Sequence, residues 1–177
     1  MKVLASLALS LALASCGYEP VHGGSAAGER LSVVLSESKV PDAVASDEVL
    51  AGLREELARG GTLASGAAYP RCEVEILRLD EAAEGIAAAP GQGGTGSLTP
   101  QVRATRVGLV ARAWVLRAPG AERERDTGDV RAFETVAVAL DARGSAFRQS
   151  DALRAAGRRL GKRLASRIMG LPSASDE

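Results

Sequence analysis

Apolar residues recur along this chain with two periods, and the switches between them mark out its elements. Leu31 to Ser36 alternates, with Leu31, Val33 and Leu35 on one face, which predicts a strand that Pro41 and Asp42 break. Over 47–59 the period lengthens: Val49, Leu50, Leu53 and Leu57 fall on one stripe of an amphipathic helix. Ser46 stands in its N-cap position, Asp47 and Glu48 suit the positive end of its dipole, and Gly60-Gly61 stops it. From Arg71 to Asp80 the period returns to two, with Cys72, Val74 and Ile76 against Glu73 and Glu75. Leu77 and Leu79 interrupt that alternation, which predicts a bulge or a newly covered face.

The second half reads the same way. Residues 85–100 form a Gly/Pro-rich loop, and a long strand follows over 101–117. It sets Val107, Leu109, Ala111, Ala113 and Val115 on one face and Arg106, Val110, Arg112 and Trp114 on the other. Pro119-Gly120 opens a charged turn, and Val130 to Leu140 supplies the partner strand of a β-hairpin. Ser150-Asp151 then caps a helix carrying Leu153, Ala156, Leu160, Leu164 and Ile168 on one side, and Gly170 and Pro172 end it. The order β-α-β-β-β-α predicts an α+β fold: a single four-stranded sheet with two helices packed on one face.

Before the first strand the pattern is different. Lys2 precedes an apolar run of 12 residues from Val3 to Ala14, too short for a bilayer span of roughly 20 residues but of the length of a signal-peptide core. The run closes on Leu13-Ala14-Ser15-Cys16, which resembles the lipobox of a bacterial lipoprotein signal. The resemblance implies cleavage before Cys16 and acylation of that cysteine; the alternative is an ordinary secretory signal followed by an incidental cysteine. Several acyl chains, at about 0.8 kcal/mol for each buried CH₂, hold a protein stably on a membrane that it does not span. Glycine at 17, where an aspartate would mark inner-membrane retention in such lipoproteins, leans the assignment to the outer membrane. The chain divides accordingly into a signal over 1–15, a Gly/Ser/Pro-rich flexible tether over 16–30, a domain over 31–171 and a disordered acidic tail over 172–177.

Composition narrows the chemistry. With 22 basic against 22 acidic residues and 3% aromatics, the chain has neither the charge nor the stacking surface of a nucleic-acid binder. One histidine and two cysteines are too few for a closed zinc site or a disulfide framework. The histidine, His22, lies in the tether, so no base is placed beside a nucleophile. Cys72 reads as a buried structural thiol, and neither a catalytic residue nor a cofactor is implied. The glycines of 91–96 lack a following helix and read as loop, not as a phosphate cradle. What remains is basic. Arg103, Arg106 and Arg112 recur along one predicted strand and are candidates for contact with an anion or a partner. Arg154, Arg158, Arg159, Lys162, Arg163 and Arg167 cover the last helix and read as a solvated face whose cations suit the C-terminal end of the dipole.

The stretch Cys16-Gly17-Tyr18-Glu19-Pro20-Val21-His22-Gly23 resembles the opening of the lipopolysaccharide-assembly lipoprotein family (LptE), whose element order is also β-α-β-β-β-α. His22 stands where an aromatic is commoner, and the loop over 85–100 reads as an insertion. The resemblance implies a non-catalytic role: plugging and helping to assemble the outer-membrane β-barrel translocon of lipopolysaccharide assembly (an LptD-like protein), with lipopolysaccharide as a candidate ligand. It carries Cys16 over as the lipidation residue. The competing expectation is an envelope lipoprotein with another client: a secretin, a cell-wall synthase or a lipid transporter.

Overall fold

A computed structural model describes residues 29–85, 102–137 and 142–172. Cys16, nearly all of the tether, the Gly-rich loop beyond Gly85 and the acidic tail beyond Pro172 lie outside the described residues. The domain is one four-stranded mixed sheet, ordered β1-β2-β3-β4, with two helices, in the sequence order β-α-β-β-β-α. Strand β1 (Ser32–Ser38) runs parallel to β2 (Arg71–Gly85), while β2–β3 (Val102–Leu116) and β3–β4 (Val130–Ala137) are antiparallel. Helix α1 (Ala43–Arg59) joins the two parallel strands, as a parallel pair requires. Helix α2 (Ala142–Ile168) follows β4.

The apolar alternation puts the core on one side of the sheet. Val33, Cys72, Val74, Ile76, Val107, Leu109, Ala111, Ala113 and Val115 are buried there, against Val49, Leu53 and Leu57 of α1 and Leu160, Leu164 and Ile168 of α2. The interruption after Ile76 is a bulge: Ile76 pairs with Ala111 and the next aligned pair is Arg78 with Val110. A second register shift lies between Leu35 and Glu37.

Both helices start earlier than their patterns predict. Asp42, not Ser46, caps α1, its carboxylate accepting from the Ala45 N–H at 3.0 Å. Ser46 is buried inside the first turn, where its hydroxyl bonds the Asp42 carbonyl at 3.2 Å and lies 3.0 Å from the Ser38 hydroxyl. Helix α2 begins at Ala142, so Ser150-Asp151 is helix interior and Asp151 pairs with Arg154 at 3.3 Å. Its added turns lie beyond the apolar stripe and leave Phe147 67% exposed, which is why period alone did not show them.

The helices run parallel and closely packed, because Ala45 meets Gly157 and Gly60 meets Met169. Cβ atoms at Gly52 and Gly161 would each lie 2.1 Å from a backbone oxygen of the opposite helix. At the other end of the sheet from the α1 N-terminus, the chain enters the domain fixed. Glu29 bonds Arg117 Nη1 at 2.6 Å and also Arg125, and the Leu31 N–H donates to the Thr62 carbonyl at 2.7 Å. No helix among the described residues is long and apolar enough to cross a membrane.

Candidate functional site: a basic groove along the outer strand

Strand β4 is an edge strand, and α2 lies along it. An α-helix advances about 6 Å in four residues and a strand about 6.6 Å in two, so a helical i, i+4, i+8 series can follow alternate strand residues. Arg159 and Arg163 keep that step, donating to the carbonyls of Phe133 at 3.2 Å and Arg131 at 2.8 Å, and Arg167 reaches past the start of β4 to the Thr127 carbonyl at 3.2 Å. Arg54 of α1 donates likewise to the Val33 carbonyl at 3.3 Å on the opposite edge strand. Two further cations of α2 also have partners: Arg158 reaches Glu48 at 3.2 Å and Lys162 reaches Glu55 at 2.8 Å. The basic helix face is therefore not simply solvated. Its arginines cover strand edges that would otherwise offer free carbonyls to another chain.

Beside this ladder lies a groove of about 650 Å³, lined by Arg106, Arg131, Phe133, Arg159, Arg163 and Arg167, with Asp129 and Glu134 among its acidic residues. Arg106 lays its guanidinium over the Phe133 ring, 4.3 Å from the centroid. Phe133 in turn fits over Gly108, where a Cβ would lie 2.2 Å from the ring. The acids are engaged: Asp129 accepts from Arg112 at 2.9 Å and Glu134 from Arg159 at 2.5 Å. With edge carbonyls bonded and the carboxylates paired, the groove presents an excess of cationic donors, the chemistry that binds phosphate or carboxylate.

The predicted arginines do not converge. Arg103 lies near the start of β3, and its side chain lies outside the described part of the molecule. Arg106 and Arg112 share a face of β3 but stand six residues apart, about 20 Å along the strand. Arg106 belongs to the groove, whereas Arg112 is tied to Asp129 and lies 3.9 Å from Glu75. Sequence reasoning missed that Arg159, Arg163 and Arg167 border the same groove; their four-residue spacing beside an edge strand was the available signal.

On the helix-free side of the sheet the polar residues pair among themselves. Arg71 bonds Glu73, and Lys39 bonds Glu75 at 2.7 Å, which holds the Glu75 carboxyl below and the Lys39 ammonium above their ordinary values. Trp114 is only 2% exposed there, with the Arg123 guanidinium 3.9 Å above its ring centroid. On the core side Cys72 is fully buried, and burial, helped by the charge of Glu73, pushes its thiol up to about 12.

No protein-family model and no curated protein matches the sequence. Solved structures do. A candidate lipoprotein from Caulobacter crescentus superposes with a TM-score of 0.52 at 11% identity, over 85% of this chain and 93% of that one. A minor lipoprotein from Acinetobacter baumannii superposes with a TM-score of 0.52 at 14% identity, over 80% of this chain and 93% of that one. The likeness defines the fold, a mixed four-stranded sheet with two helices on one face, which this chain shares with proteins named as lipoproteins.

Proposed function

We propose that this chain is an outer-membrane lipoprotein, acylated at Cys16, that plugs and helps assemble the β-barrel translocon of lipopolysaccharide assembly and binds lipopolysaccharide for insertion into the outer leaflet. The observation that carries this reading is the junction at Cys16: a lipobox closing a signal-like run, then an octapeptide resembling the LptE family. The fold is compatible with it, being shared with two lipoproteins over most of their length. The groove along β4 adds the chemistry, because guanidinium groups take phosphate oxygens bidentately and lipopolysaccharide is rich in phosphate. A domain with charges of both signs on its surface suits a barrel lumen, which is polar.

Extraction of the native lipoprotein in mild detergent, followed by identification of what co-isolates, tests the reading. It predicts a large outer-membrane barrel protein in near-equal amount. Recovery of a secretin or a cell-wall synthase in its place would refute it in favour of another client.

A further inference from the structure

The helix-free face of β2 and β3 holds a cluster that the proposed function does not use. Trp114, the chain's single tryptophan, sits opposite Glu73 on β2, and Arg112 sits opposite Glu75. The indole N–H of Trp114 and the Nε–H groups of Arg71 and Arg112 are all buried and have no acceptor. Buried donors are nearly always paired in folded proteins, so several orphans on one face ask for a missing acceptor. The group lying over the indole is a long side chain, that of Arg123. Arg123 is exposed and comes from the β3–β4 connection; its guanidinium lies over the indole, and its charge is among those that lower the Glu75 carboxyl.

The charge pattern restricts what can take its place. Arg71 is paired with Glu73, Lys39 with Glu75, and Arg112 with Asp129, so the face is balanced. An anion entering it would meet Glu73 and Glu75, and the place over the indole is one a cation, Arg123, already holds. A neutral ligand suits the balanced face, one with a flat apolar side for the indole, lone pairs for the orphan N–H groups and hydrogens for the carboxylates. A sugar ring has all three, since its hydroxyls both donate and accept while its C–H face stacks on an aromatic ring. We propose that this face is a saccharide-binding site in which Arg123 swings aside and a sugar ring stacks on Trp114. The site is separate from the groove along β4 and does not depend on the role proposed for that groove.

Trp114 makes the test direct, because its emission reports this site alone. The full-length lipoprotein, held in a zwitterionic detergent without a sugar headgroup, is titrated with chitobiose, with a neutral hexose core oligosaccharide from the outer part of the lipopolysaccharide core and with inorganic phosphate. The expected result is a saturable change in emission with a saccharide and none with phosphate. A response to chitobiose alone marks a cell-wall glycan as the source, and a response to the core oligosaccharide alone marks lipopolysaccharide. Arg123→Ala should tighten binding about two- to fivefold, the cation–π contact being what the ligand displaces. Glu75→Ala should weaken it several-fold; Arg123→Gln serves if the alanine variant does not fold. Absence of a saturable change with either saccharide, in the wild type and in the Arg123 variant, would overturn the proposal, as would a response to phosphate alone.

Discussion

Cys72 and Glu75 lie on opposite sides of the same strand and behave oppositely. Burial raises the Cys72 thiol to about 12, so at pH 8 only about one molecule in ten thousand carries the reactive thiolate. Iodoacetamide should therefore leave Cys72 unlabelled in the folded protein and modify it promptly in urea, as mass spectrometry would show; rapid labelling of the native state would contradict the burial. Glu75 is held below its ordinary value chiefly by the hydrogen bond from Lys39. A depressed folded-state value contributes stability that is present above the unfolded carboxylate value of about 4.3 and is lost as pH falls through the lowered one. Glu75→Gln should flatten the acid limb of a stability–pH curve below about pH 4 and change little of its shape near neutrality. Cys72 could be read from alternation because its neighbours on the strand decide its side. The burial of Trp114 could not, since a residue that lies over it, Arg123, comes from a turn.

At the scale of elements, the strands and their inward faces followed from periodicity, and the bulge after Ile76 showed as a break in it. Helix starts did not, because Asp42 and Ser46 are both competent caps and tertiary contacts choose between them. Glycines carried a signal that period-counting passes over. Gly157 and Gly161, four apart on α2, let the backbone of α1 approach, and Gly52 does the same from the other side. Gly161→Ala should lower stability by about 1–3 kcal/mol in urea melts, overpacking outweighing the gain in helix propensity of about 1 kcal/mol. An unchanged or raised midpoint would show that the helices are less close. The arginine ladder gives a different expectation. Replacing Arg159, Arg163 and Arg167 together with alanine bares the Phe133 and Arg131 carbonyls of β4 and the Thr127 carbonyl before it, and should produce concentration-dependent self-association in sedimentation velocity. A triple variant that stays monomeric would mean that the ladder does not protect this edge.

For the whole molecule, the two ends of the domain have different duties. Glu29, clamped by Arg117 and Arg125, fixes where the tether leaves, and the residues from Cys16 to that clamp reach at most about 45 Å when extended. The fold class was legible because each element states its own period. The groove was only partly so: Arg106 was among the candidates, but its neighbours from α2 are brought beside it by packing, which spacing within one strand cannot show.

The central claim, attachment of lipid at Cys16, is tested most directly by the intact mass of the protein purified from its native host. The account predicts a chain that has lost residues 1–15 and carries acyl groups on Cys16. A mature chain that retains Met1, or one that begins elsewhere with no lipid attached, would contradict it.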